Sequence, residues 1–166
     1  MHRLTLAVAV LLTACHAAPP PPAPQTGFRP ADAPIYSSAV LDRARLDGHW
    51  QQVAGMGADC PPDPANPDAV EITGDQMRWS LCLNGVRQGG SRALVMTKPG
   101  RFDVAGSAPW WVLWADGDYR TLVIGTPSGS MGFVLNRDAD LPADRQKAAV
   151  DILRFNGYDT AQLRFF

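Results

Sequence analysis

The chain has 166 residues, 46% of them hydrophobic, with a formal net charge of −1. Near-neutrality excludes a nucleic-acid partner held by a basic field. The length allows one domain with one core once the unusual N-terminal segments are set aside.

In "MHRLTLAVAVLLTAC", Arg3 precedes an apolar run, Leu4 to Leu12, too short to span a bilayer as a permanent helix. Its end, Leu12-Thr13-Ala14-Cys15, resembles a bacterial lipobox. The resemblance implies a signal peptide over residues 1–15, cleaved before Cys15, with palmitate-like and diacylglycerol chains on Cys15. Several acyl chains on one residue make a stable anchor, whereas one holds weakly. His16 stands where an inner-membrane retention signal commonly has Asp, so the resemblance implies the outer membrane, with the domain in the periplasm.

Residues 16–34 carry seven prolines and little apolar content, the composition of an extended tether. The folded domain is expected over 35–166. With Cys15 assigned to lipid, Cys60 and Cys82 are an even pair in an oxidising compartment and are expected to form a disulfide.

Strand signals dominate the domain. "MRWSLCLN" alternates, with Met77, Trp79, Leu81 and Leu83 on one face. Seven further segments read as strands: "HWQQVAGM", "AVEIT", "SRALVMT", "RFDVA", "PWWVLWA", "YRTLVIGT" and "MGFVLNR". Turn residues separate them, among them Asn84-Gly85, Pro99-Gly100 and Asp116-Gly117-Asp118. Eight short strands joined by tight turns predict an antiparallel up-and-down β-barrel, which leaves no exposed edge. Pro142 and Asn156-Gly157 then bracket an amphipathic helix with an Ala148, Ala149, Ile152 and Leu153 stripe. A last strand, "AQLRFF", ends the chain. The fold class expected is all-β with one C-terminal α-helix.

Three motifs carry a family resemblance. Gly48-His49-Trp50 looks like a Gly-x-Trp at the start of a first strand, Asp118-Tyr119 like an acidic-Tyr turn, and Arg137 like the Arg closing an eighth strand. In this order, with the helix and last strand behind them, they resemble the lipocalin family, and its bacterial outer-membrane lipoprotein branch most. The match covers Trp110 to Phe166 and the first motif; residues 59–106 do not align with the family pattern. The resemblance implies that Arg137 stacks on Trp50 at the barrel floor. With period-two alternation, it implies an interior lined by Ala54, Met56, Met77, Trp79, Leu81, Trp110, Val112, Trp114, Val123, Met131 and Phe133. Gln52, Leu83, Thr121, Gly125 and Leu135 share those faces.

Such a lining suits a fatty acid or lysophospholipid. The function implied is non-enzymatic binding, transport or storage of small hydrophobic molecules. Three histidines, of which only His49 lies in the domain, leave little for nucleophilic catalysis. No metal or cofactor motif is present. Two alternatives stand beside this reading. One is a periplasmic protease inhibitor of the small eight-stranded barrel type, a pattern without the C-terminal helix and strand. The other is a structural lipoprotein whose barrel is filled.

Overall fold

The computed structural model describes residues 27–166, so Cys15, the signal segment and the first part of the tether lie outside the described residues. A 3-10 helix, Arg43–Leu46, enters the barrel. Eight antiparallel strands follow: β1 Gly48–Met56, β2 Ala69–Thr73, β3 Gln76–Leu83, β4 Val86–Lys98, β5 Arg101–Val104, β6 Trp110–Ala115, β7 Thr121–Gly125 and β8 Gly132–Asn136. Each pairs with the next, and β1 pairs with both β8 and β2, closing the barrel. Helix α1, Ala143–Phe155, and a short strand β9, Leu163–Phe165, end the chain.

Local chemistry accounts for the boundaries. Asn84 and Gly85 both adopt positive φ, the geometry of a two-residue hairpin turn, and β3 and β4 run in continuous register from them. That pairing begins β4 at Val86, five residues before the expected "SRALVMT" segment. Gly89 and Gly90 are poor strand formers, and only the ladder to β3 holds them extended. Pro142 precedes the first turn of α1, and Gly157, at φ 82, follows Asn156 at its end.

The β1–β2 connection leaves an edge that the fold covers in pieces. β2 reaches β1 only over Gly48 to Gln51, and β9 takes the same edge over Ala54 to Met56. Between them the side-chain amide of Gln52 stands in for a peptide. Its Oε1 accepts from Cys82 N at 2.8 Å and its Nε2 donates to Cys82 O at 2.9 Å. A buried backbone pair on β3 is thereby satisfied without a neighbouring strand. The Cys60–Cys82 disulfide fastens the β1–β2 loop to the same residue.

Two cores result. Inside the barrel lie Trp50, Val70, Met77, Trp79, Leu81, Phe102, Trp110, Phe133 and their neighbours. Outside, Ala149 and Leu153 of α1 pack on Leu113, Val123 and Val134, with Phe28 and Tyr158 at one end.

Phe28 corrects the tether boundary. The segment expected to be extended through Pro34 is docked from Gly27 onward. Phe28 and Arg29 are buried, and Phe28 N donates to Gly129 O at 2.7 Å. The Arg29 guanidinium donates to the carbonyls of Asn156, Pro127, Ala33 and Pro34 and lies 6.0 Å from the Tyr158 ring centre. These acceptors come from the end of α1, the β7–β8 loop and the segment itself, so composition alone could not reveal the docking.

Tyr158 locks this corner. Its hydroxyl accepts from Thr126 N at 2.8 Å and shares its proton between Met131 O at 2.9 Å and Thr126 O at 3.1 Å. Burial pushes its pKa up from 10.0 to about 12, against the opposing pull of the Thr126 bond and the Arg29 charge. The unfolded chain therefore loses this proton first as pH rises. Stability contributed below pH 10 is lost between pH 10 and about 12. Urea unfolding across that window should show a fall of about 2 to 3 kcal/mol from this group. In Tyr158→Phe the fall should be shallower by that amount.

Candidate ligand-binding site

The closed end of the barrel is built on Gly48, Trp50 and Arg137. Arg137 Cζ lies 3.6 Å from the Trp50 ring centre. Its Nη1 donates to His49 O at 2.9 Å, and its Nη2 to Arg45 O at 2.9 Å and Asp47 O at 3.0 Å. The Trp50 indole donates to Leu46 O at 2.7 Å, which ties the 3-10 helix to the same plate. Gly48 has φ 100, and a Cβ there would come 3.1 Å from Arg137 Nη1. Backbone conformation and close approach therefore both require glycine two residues before the Trp. Burial draws the Arg137 pKa below the usual guanidinium value, with the neighbouring Arg120 charge acting the same way.

Tyr119, at φ 55, closes the β6–β7 turn; its hydroxyl accepts from Asp42 N at 2.7 Å, and Arg45 lies 4.2 Å over its ring. Asp118 is exposed in that turn. The acid that organises it is Asp116, whose Oδ1 accepts from Arg120 N and Thr121 N, each at 2.6 Å. The family resemblance singled out Asp118 in this turn, whereas for Asp116 the sequence offered only the Asp-Gly-Asp turn signal.

Above this floor the lining is apolar. Met77, Trp79 and Leu81 of β3, Trp110 and Val112 of β6, and Met131, Phe133 and Leu135 at β8 belong to the interior cluster, with Leu83 packed against it. Trp110 meets Phe133 edge to face with ring centres 5.0 Å apart, and Trp79 meets Trp110 likewise at 6.1 Å.

Four expected lining residues lie on the outer face instead. A β-bulge between Gln52 and Ala54 shifts the phase of β1, so Ala54 and Met56 join the cluster under α1. A second bulge, between Val112 and Trp114, does the same to β6. Trp114 lines an external groove of about 750 Å³ with Asp116, Asp118, Arg120, Asp144, Arg145 and Ala148. Val123 is the fourth. β7 has no bulge, but its residues face their β8 partners: Leu122 opposes Leu135 and Ile124 opposes Phe133. Directly opposed residues share a face, so Leu122 and Ile124 line the interior and Val123 packs under the helix. Thr121 and Gly125 face outward with it. Thr121 Oγ1 accepts from Arg145 at 3.0 Å, and a Cβ on Gly125 would strike the Tyr158 hydroxyl at 2.6 Å. Leu122, Ile124, Leu46, Val70, Ile72, Leu94, Phe102 and Val104 are interior residues that sequence reasoning missed. Pairing across the β7–β8 turn was the signal that could have found the first two.

Among the described residues no group of three or more His, Cys, Asp or Glu is arranged to hold a metal ion. His49 Nδ1 lies 3.4 Å from Glu71 Oε2 on the barrel's outer face, with both side chains substantially exposed.

Residues 93–166 match a family model described as a lipocalin-like domain. No curated protein matches the chain in sequence. Among solved structures, lobster apocrustacyanin A1 aligns with a TM-score of 0.54 at 17% identity, over 80% of this chain and 88% of that one. The cockroach major allergen Per a 4 aligns at 0.54 and 13% identity, over 75% and 87%. Insecticyanin from the tobacco hornworm Manduca sexta aligns at 0.53 and 16% identity, over 84% and 85%. Identities this low speak to architecture, so the conclusion has two parts: the chain folds as a lipocalin barrel, and its residues 93–166 match the lipocalin-like domain model.

Proposed function

We propose that this chain is a lipocalin family member that binds small hydrophobic molecules without catalysing a reaction, held to the outer membrane through Cys15 with its barrel in the periplasm. Fatty acids and lysophospholipids are the ligand class. The observation that carries the reading is the inner wall: an almost wholly apolar lining closed at one end by the Arg137–Trp50 plate. Lipocalins are generally non-enzymatic binders of small hydrophobic ligands, and apolar walls with few polar groups are what such ligands need. The lipobox resemblance at Leu12 to Cys15 supports the anchor. The protease-inhibitor pattern lacks a C-terminal helix and strand, and this chain has both α1 and β9.

Titration of the purified protein with the neutral probe N-phenyl-1-naphthylamine tests the binding. Saturable enhancement, displaced by palmitate or lysophosphatidylcholine, is the expected result. A radioactive palmitate label that Cys15→Ser removes is expected for the anchor. The ring contacts among Trp79, Trp110 and Phe133 favour a second reading, a filled structural barrel. A flat titration would establish that reading in place of the first.

A further inference from the structure

The buried polar atoms of the barrel are unbalanced. Trp79 and Trp110 are 7% and 3% exposed, and the indole Nε1 of each is buried with no hydrogen-bond partner. Trp50, the third interior indole, is satisfied by Leu46 O. Arg43 adds Nε and Nη2, also buried without acceptors, on a guanidinium 5.9 Å from the Phe102 ring centre. Phe102 is the cross-strand partner of Trp110. Thus, of the five unpartnered buried side-chain polar atoms among the described residues, four are donors, and the fifth is the Thr126 hydroxyl, which can act either way.

Buried donors are nearly always paired in folded proteins, so unpaired ones call for an explanation. The edge-to-face neighbours of Trp79 and Trp110 offer an N–H a ring face at most, a weaker acceptor than oxygen. The two indoles are also adjacent, 6.1 Å between ring centres on facing parts of the lining. Gly90 stands opposite Trp79 on β4, and β5 pairs with β4 only from Leu94 onward.

We propose that Trp79 and Trp110 form a two-donor subsite that receives a carbonyl or carboxylate oxygen of an otherwise apolar ligand. The inference rests on the proposed binding function and narrows it: the preferred guest carries an sp² oxygen, and that oxygen lies inside the barrel among the aromatic rings. A site built to bond an oxygen discriminates against the analogue lacking one, because its buried donors then stay unpaired.

The test uses uniformly ¹⁵N-labelled full chain and three probes of one chain length: 2-nonanone, nonanoate and 1-chlorononane. The chain has five Trp, and Trp79→Phe and Trp110→Phe identify the two relevant indole N–H resonances. The expected result is a downfield move of both with 2-nonanone or nonanoate, and none with 1-chlorononane. The Trp50 resonance stays in place as an internal reference. Whichever oxygen-bearing probe moves them at the lower concentration identifies the neutral or the ionised source. Trp79→Phe, which keeps a ring face, should weaken that probe about tenfold more than it weakens 1-chlorononane, a difference equal to about 1.4 kcal/mol. Equal affinity of all three probes, or binding that leaves both resonances unmoved, overturns the subsite while the binding function stands. Failure of every probe to bind removes the binding function and the subsite together. Should Trp110→Phe not fold, the resonances of the native chain and Trp79→Phe still decide the question.

Discussion

Arg137→Ala is expected to lower the unfolding free energy by about 3 kcal/mol, measured by urea titration. The truncation removes the stacking on Trp50 and the bonds to four carbonyls, those of His49, Arg45, Asp47 and, at 3.4 Å, Tyr119. A cation–π contact contributes about 0.5–2 kcal/mol, and hydrogen bonds from a charged donor about 1.5–3 kcal/mol each. The site is half-buried and its contacts act as a unit, so the sum is discounted. Arg137→Lys keeps the charge but not the planar fork, and should fall between the two. The 3-10 helix should loosen with the truncation, because Arg45 and Asp47 carbonyls are held by the same guanidinium. A change within about 0.5 kcal/mol, typical of an unremarkable surface site, would mean that the plate does not hold the barrel closed.

Reduction of the Cys60–Cys82 bridge, or the double change Cys60→Ala with Cys82→Ala, is expected to cost about 3 kcal/mol and about 10 °C in Tm. The bridge closes a separation of 22 residues, and Cys82 is 2% exposed on β3. Gln52 holds the Cys82 backbone independently, so β3 should keep its place while the loop between Gly57 and Asp68 is released. Limited proteolysis should then cut within that loop in the reduced protein and not in the oxidised one. Cleavage elsewhere first would show that the bridge restrains the whole barrel.

Much of the barrel was legible because its signals are local. Alternation in "MRWSLCLN" placed Met77, Trp79 and Leu81 on one face, and nothing interrupts β3 to disturb it. Pro142, Asn156 and Gly157 marked the ends of α1 through φ preferences that act within one turn. Asn84-Gly85 gave the β3–β4 hairpin by the same kind of chemistry, although the glycines at 89 and 90 hid the first five residues of β4.

The lining was legible only up to each bulge. Ala54, Met56 and Trp114 follow an extra residue on their strands, and one such residue moves every later side chain to the opposite face. Nothing in "HWQQVAGM" or "PWWVLWA" marks where it falls, since each is apolar on both faces near the helix. Val123 failed differently: β7 is buried on both faces, so alternation of polarity carries no phase there.

The sequence by itself determined the eight barrel strands, the C-terminal helix and last strand, their order and the disulfide partners, because each depends on backbone preference, turn chemistry or a small set of possible partners; the Arg beside the Gly-x-Trp came from the family resemblance. The tertiary structure decided which face each strand shows the interior, the docking of Phe28 and Arg29, and the surplus of unpaired indole donors. Those depend on strand register and on carbonyls brought together from distant parts of the chain, and a pattern of residue types does not record distances between them.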